Sequence, residues 1–422
     1  MGKKNLFNLL AIIVLFASGC MPAGNGELIG VQGRELWYPS DPFGTLFIPS
    51  GSYHMGQSDQ DINYSQVQPN RVVSVHAFYM DDTEISNNEY RQFVYWVRDS
   101  IARKLLAGDY LIDEGEYNER IDWYQRLAWE DEENKEILDE MFLPEAERFY
   151  RRYQIDTRKL NFEYWWIDYK EAAKKSNRNK PRSTFIKSDI VNVYPDTLAW
   201  FHDFVYSFND PMTQMYFWHP AYDDYPVVGV TWRQARAFSS WRTYLMNNFR
   251  KGLGLPFVQD FRLPTESEWE YAARGGYDGS PYPWGGPYIR NTKGCFLGNF
   301  KPLRGNYMDD GGFYSVKVTS YWPNAFGLYC MAGNVAEWTS NTFDESAFAY
   351  HHDLNADYRY DAQPNDPPAL KRKVIKGGSW KDLGYFMQAG TRSYEYQDTS
   401  KCYIGFRNVM SFLGRDKSDF SK

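Results

Sequence analysis

At 422 residues, with 43% apolar and 18% aromatic residues, the chain is long and apolar enough to bury a substantial core, while a mean hydropathy of −0.63 excludes a protein that is mostly membrane-embedded. A net charge of −7 and a pI of about 5.5 argue against nucleic acid as partner, because that polyanion selects basic surfaces. The four cysteines, Cys20, Cys295, Cys330 and Cys402, include no Cys-x-x-Cys pair, which sets aside zinc ribbons and thioredoxin-like chemistry.

The chain opens with a basic head, Lys3 and Lys4, and an apolar stretch over residues 9–17 (LLAIIVLFA). This is the layout of a secretory signal, too short to span a bilayer comfortably. Ala17-Ser18-Gly19-Cys20 resembles a lipobox, although Ala17 stands where Leu is commoner. The expectation is a signal peptide over 1–19, acylation of Cys20 and a tether over 20–42 that includes the linker MPAGNG at 21–26. An ordinary signal with a chance cysteine is the plainer alternative. Met21, in place of an inner-membrane retention aspartate, favours the outer membrane. The absence of an acidic run after Cys20 favours its periplasmic face.

Strand-like segments follow at Leu46-Phe47-Ile48 and Tyr53-His54-Met55, then over a run from Val72 to Tyr79. Ser86 and Glu89 have capping-box spacing, and Tyr90, Phe93, Val94 and Val97 repeat at i, i+3, i+4, i+7, which predicts a helix. Two further capping boxes, Thr231 with Gln234 and Thr265 with Glu268, predict two more helices, the second ending at Gly275-Gly276. Pro283-Trp284-Gly285-Gly286, Pro323-Asn324-Ala325-Phe326-Gly327 and Lys376-Gly377-Gly378-Ser379-Trp380 read as turns pinned by aromatic rings. The class expected is α+β, loop-rich, with short strands and few helices.

Residues from about 99 to 219 differ in character, being dense in both charge and aromatics. Residues 130–145 look helical, with charges solvating one face. The many Trp and Tyr argue against disorder and suit an interaction surface or a packed insertion. The tail over 414–422 reads as flexible.

Taken in order, several motifs resemble one family. They are Ile48-Pro49-Ser50-Gly51 with Met55-Gly56, Thr83-Glu84-Ile85-Ser86-Asn87-Asn88-Glu89-Tyr90, and Pro226-Val227-Val228-Gly229-Val230-Thr231-Trp232. Arg262-Leu263-Pro264-Thr265-Glu266-Ser267-Glu268-Trp269-Glu270-Tyr271-Ala272-Ala273-Arg274-Gly275-Gly276 follows, then Asn324-Ala325-Phe326-Gly327-Leu328-Tyr329. The last are Gly333-Asn334-Val335-Ala336-Glu337-Trp338, Gly377-Gly378-Ser379-Trp380 and Gly405-Phe406-Arg407. Together they are similar to the sulfatase-modifying-factor domain of formylglycine-generating enzymes. The resemblance covers residues 43–413 apart from the insertion, and it implies a fold related to C-type lectins.

The resemblance also implies chemistry. The enzyme oxidises a substrate cysteine with copper(I) held by two cysteines shortly after its Gly-Gly-Ser motif. Here Asp382 and Met387 stand at those positions, so no formylglycine-generating activity is expected. A second enzymatic branch of the family needs clustered histidines. Of the six here, only His351 and His352 adjoin, in what reads as an exposed loop. The family's calcium loops suggest one set at Asn299, the Phe300 carbonyl and Asp309 or Asp310. A second set would use the Gly333 and Val335 carbonyls with Glu337, although Cys330 replaces an oxygen donor there. Glu337 serves equally well as a buried partner for Arg392 or Arg407.

Within the family the nearest likeness is to the GldK/PorK-type lipoproteins of gliding motility and type IX secretion in Bacteroidota. The lipobox, Met55-Gly56-Gln57-Ser58-Asp59, the motif from Asn88 to Arg103 and the long insertion carry it. It implies a non-catalytic role as a periplasmic ring at the outer membrane, made by self-association and a GldN/PorN-type partner. The acyl chains on Cys20 would be the anchor, and no cofactor is required. A glycan-binding surface lipoprotein and an enzyme with an unrecognised site are the competing expectations.

Overall fold

The computed structural model describes residues 40–57, 70–113, 119–204, 210–302, 308 and 312–414. The leader, Cys20 with its tether up to residue 39, Asp309, Asp310 and the tail from 415 lie outside these residues. Strands β1 (Thr45–Ile48) and β2 (Gly51–Met55) are parted at Pro49, which has no N–H for a ladder. Strands β3 (Arg71–Val75) and β4 (Phe78–Asp81) replace the single run expected from Val72 to Tyr79, with the break at His76-Ala77. In β3 the side chains alternate, Val73 and Val75 buried and Val72 half exposed, whereas β4 is buried on both faces.

Helix α1 (Asn87–Leu106) starts as expected. Ser86 Oγ accepts the Glu89 N–H, and Glu89 Oε2 accepts the Ser86 N–H at 2.8 Å. Its buried stripe contains Tyr90, Phe93, Val94 and Val97. The helix runs through residue 99 to Leu106, so the distinctive segment leaves the domain later than its composition suggested. That segment holds β5 (Leu111–Asp113), β6 (Glu119–Ile121), α2 (Glu132–Leu138), β7 (Asn161–Ile167), α3 (Tyr169–Ala172), β8 (Ile186–Asn192), α4 (Ala199–Asp203) and α5 (Pro211–Met215). The helix expected over 130–145 is only α2. A 3-10 turn at Asp139–Met141 tightens its end, and Pro144 disfavours helix at the residue before it. Aromatic contacts hold the segment to α1: Trp96 stacks on Trp123 at 5.2 Å, and Phe93 meets Phe162 edge-on at 5.3 Å.

Helix α6 (Trp232–Gly252) carries the Thr231/Gln234 capping box, then come β9 (Phe261–Arg262) and α7 (Glu266–Arg274). α7 carries the Thr265/Glu268 box and ends on Gly275 at φ +58, the left-handed cap a glycine adopts freely. The remaining elements are β10 (Ala336–Thr342), α8 (Ala347–Tyr350), β11 (Arg372–Lys376), β12 (Ser393–Tyr396), β13 (Ile404–Gly405) and β14 (Val409–Ser411). One sheet has the order β1-β4-β14-β9, all antiparallel, so strands from both ends of the 41–413 unit lie side by side. The second has the order β12-β11-β10-β13, its β10–β13 pair parallel. Short strands, few helices and long structured loops are the α+β architecture expected.

The main core lies between α1, α6 and β10. Tyr90 stacks on Phe238 at 5.6 Å, Phe93 packs on Trp241 at 5.2 Å, and Phe406 closes on Phe238 at 5.4 Å. Burying each such phenylalanine contributes ~1.5–3 kcal/mol. A second core gathers Trp269 of α7 with Ile48, Tyr53, Val73 and Met80 of the first strands.

Candidate functional site

The loop after β11 is set by its glycines. Gly377 and Gly378 take φ +91 and +66, and a Cβ on Gly378 would meet the Phe386 carbonyl at 2.8 Å. Ser379 is fully buried. Its N–H and hydroxyl both donate to Asp382 Oδ2, at 3.0 and 2.6 Å, and the Asp382 carbonyl accepts the Lys301 N–H at 2.8 Å. Asp382 therefore locks the turn. Met387, fully buried, packs in an apolar cluster with Tyr282, Phe300 and Ala332. A carboxylate already engaged by Ser379 and a thioether in an apolar cluster do not form the thiolate pair that copper(I) oxidation chemistry draws on.

Cys402 and Cys330 are both buried. Burial, with Asp203 nearby, holds the Cys402 thiol well above its usual range. Burial, with Glu84 nearby, does the same for Cys330, whose Sγ lies 3.3 Å from the Val318 carbonyl. Cys295 is exposed, and all three are unpaired.

The insertion reaches over this loop. Trp200 of α4 stacks on Trp380 at 5.8 Å, and Phe204 and Tyr314 each pack against the same ring at 5.2 Å. Asp203 accepts the Cys402 N–H at 3.0 Å and pairs with Lys401 at 3.2 Å. Ser400 donates to Asp196 at 2.8 Å. Trp380 is left only 6% exposed. An aromatic and ionic clasp thus covers the face of the Gly-Gly-Ser-Trp loop.

The two expected calcium sets meet in one turn. The Asn299 carbonyl accepts the Asn334 N–H at 2.8 Å, the Gly333 N–H donates to the Gly377 carbonyl, and the Asn299 amide donates to Tyr314. Phe300 is buried in the Met387 cluster, and Asp310 lies outside the described residues. Both oxygens of Glu337 are engaged. Arg407 donates to each at 2.7 Å, and Trp269 Nε1 donates to Oε2 at 2.7 Å. Glu337 is thereby the buried partner of Arg407, and Arg392 turns instead to Glu266 at 2.6 Å. Among the described residues no group of three or more His, Cys, Asp or Glu side chains is arranged to hold a metal ion.

Sequence reading gave Glu84 no role, yet it anchors the same turn. It is fully buried, accepting the Asn334 side-chain amide at 2.7 Å and the Val335 N–H at 3.2 Å. Burial, with Glu337 close by, pushes its carboxyl well above the usual range. An acid between apolar-flanked motif residues (Thr83-Glu84-Ile85) was the available signal. Deeper in, Glu270 accepts Lys376 at 3.1 Å, Arg274 at 2.8 Å and the Gly56 N–H at 2.9 Å. Burial raises its pKa, but Lys376 and Arg274 outweigh that and leave the carboxyl below its usual value. His351 is not loosely exposed: it packs beside Phe348 and Tyr358, and burial lowers its pKa.

Comparison with known proteins agrees with this architecture. Residues 39–412 match the sulfatase-modifying factor enzyme 1-like domain family. The chain is 27% identical over 383 residues to a formylglycine-generating enzyme from Bos taurus, covering 89% of this chain and 76% of that protein. It is 31% identical over 201 residues to the inactive C-alpha-formylglycine-generating enzyme 2 of Mus musculus, covering 46% of this chain and 51% of that one. PvdO from Pseudomonas aeruginosa is a solved structure similar to it at a TM-score of 0.46 and 16% identity, over 87% of this chain and 94% of PvdO. The chain belongs to the sulfatase-modifying-factor family.

Proposed function

We propose that this sulfatase-modifying-factor domain is a non-catalytic scaffold, anchored by lipid on Cys20 to the periplasmic face of the outer membrane. There it would form a ring of the type IX secretion or gliding machinery with a GldN/PorN-type partner. The observation that carries the non-catalytic part is the pair Asp382 and Met387. One is spent on the Ser379 turn and the other buried in an apolar cluster, where the active enzymes resembled here hold two copper-binding thiolates. The clasp of Trp200 and Phe204 over Trp380 supports it, because it covers the loop that carries Asp382 with this chain's own side chains. That the family also includes proteins named as inactive makes such a role familiar within it.

The secretion assignment rests on the GldK/PorK-like features: the lipobox, the first-helix motif through Arg103 and the aromatic insertion. Head-to-tail contacts close a ring when the rotation between copies closes. The insertion offers surface for such contacts, with Tyr124, Tyr150 and Tyr169 largely exposed beside charged neighbours. The reading needs no cofactor beyond the acyl chains; a structural calcium at the turn joining Asn299 to Glu337 would be an addition to it. Incubating the purified protein with copper and a cysteine-containing sulfatase peptide tests the non-catalytic part. The expected result is no aldehyde product, and turnover would overturn it.

A further inference from the structure

Strand β7 pairs with β8 on one side, and no other described strand pairs with it. The Val193 N–H donates to the Leu160 carbonyl and the Asp168 N–H to the Phe185 carbonyl, continuing the β7–β8 register. Hydrogen-bonded pairs therefore fall on the even-numbered residues of β7. The odd-numbered ones, Asn161, Glu163, Trp165 and Ile167, turn their main-chain N–H and C=O groups to the open edge. A groove of about 1780 Å³ runs along that edge: every residue of β7 lines it, against Lys187 alone from β8. Its far wall is α6, through Arg236, Ser240 and Tyr244.

The groove has polar groups waiting for a ligand. Tyr164 is 4% exposed and Ser340 8%, both line the groove, and neither hydroxyl has a hydrogen-bond partner. Trp165 and Ile167, 60% and 47% exposed, stand on the outward face beside the edge. Donors and acceptors that recur at every second residue, ~6.6 Å apart, match the period of a polypeptide main chain in extended form.

We infer that the β7 edge receives one extended polypeptide segment of a partner protein, which adds to β7 as a further strand. Aliphatic residues of the segment lie outward beside Trp165 and Ile167, and small hydroxyl or amide residues lie inward over Tyr164 and Ser340. Main-chain pairing supplies affinity and the alternating side chains supply choice. The inference rests on the scaffold reading for one point only, that the partner belongs to the same assembly.

The test uses the full-length protein in detergent and a fluorescein-labelled, end-capped peptide, Lys-Thr-Val-Thr-Val-Thr-Val-Thr-Lys, followed by anisotropy. Two further versions carry N-methyl groups on all the valines or on all the threonines, each blocking one edge of the peptide. Binding of the parent is expected, with one methylated version weakened about tenfold or more and the other retained, since the three valine or four threonine N–H groups that face β7 are lost on one edge only. Glu163→Pro removes one outward N–H while leaving the ladder to β8, and should weaken binding about fivefold. If that variant misfolds, Tyr164→Phe keeps the ring and should weaken binding with no loss of thermal stability. No binding of the parent at millimolar peptide, equal affinity of the two methylated versions, or displacement by cellohexaose would overturn the inference. Hydrogen exchange on the native assembly separates the two readings. Peptide binding without an assembly in cells leaves this inference standing and sinks the scaffold reading. An assembly in which the Glu163, Trp165 and Ile167 amides exchange as fast as in the free protein does the reverse.

Discussion

Arg407→Met strands Glu337 in the interior. Arg407 Nε and Nη2 each reach a Glu337 oxygen at 2.7 Å, Nη2 also donates to the Tyr329 carbonyl at 2.9 Å, and Nη1 to the Asp81 carbonyl at 3.2 Å. Both side chains are essentially inaccessible, at 0% and 1% exposure. Breaking such a pair from one side costs ~3–5 kcal/mol, because the remaining charge has no solvent to return to. Two carbonyls losing a donor add ~1 kcal/mol each. At ~2 °C per kcal/mol for a large domain, the melting temperature should fall by roughly 10 °C. Glu337→Gln alone should cost somewhat less, since Trp269 keeps an acceptor. The double variant should cost at least ~2 kcal/mol less than the sum of the singles, because neither charge is then stranded. Urea and thermal unfolding, run with calcium and with a chelator, measure this directly. Additive single costs would refute the reasoning, as would a calcium-dependent rise in melting temperature that Glu337→Gln abolishes, which would make Glu337 a calcium ligand.

Other outcomes follow from the same physics. Cys20→Ala should move the protein from the membrane to the soluble fraction; retention on membranes would mean that lipid on Cys20 is not the anchor. Glu268 has its carboxyl lowered to about 2: burial raises it, but the Arg262 guanidinium at 2.6 Å overcomes this. The pair's stabilisation, ~3 kcal/mol from a shift of that size, is fully present above pH ~4.5 and lost as pH falls through about 2. Acid unfolding that Glu268→Gln leaves unchanged would count against it. Lys373, wholly buried in β11, has its amine lowered by burial to about 7, so the unfolded chain binds more protons between pH 7 and 10.5 and stability should rise with pH across that window. Lys373→Met should flatten that rise; an unchanged pH profile in the variant would show the amine to be charged in the fold.

The capping boxes and helical stripes of α1, α6 and α7 were legible because they are local, written within four residues of each helix start. The turn at Gly377-Gly378 was legible for the same reason. What sequence could not give was pairing across distance. Glu337 finds Arg407 rather than Arg392, and Glu84 finds a turn some 250 residues on, through contacts only the folded chain defines. Lys373 and Lys376, three residues apart and so on opposite faces of β11, are nonetheless both buried, their amines received by the Tyr360 carbonyl and by Glu270. The helix over 130–145 failed where charge pattern was trusted beyond Leu138 into a stretch that ends at Pro144. For Asp382 and Met387, the sequence showed which groups are present, and the structure added what holds them.

The most direct test of the scaffold account is affinity purification of the tagged protein from detergent-solubilised outer membranes, with mass spectrometry and negative-stain imaging of the product. The account expects a large ring containing this chain and a second periplasmic protein in fixed stoichiometry. A lone monomer, or a protein retained only on a glycan matrix, would contradict it and leave the fold and the family as what stands.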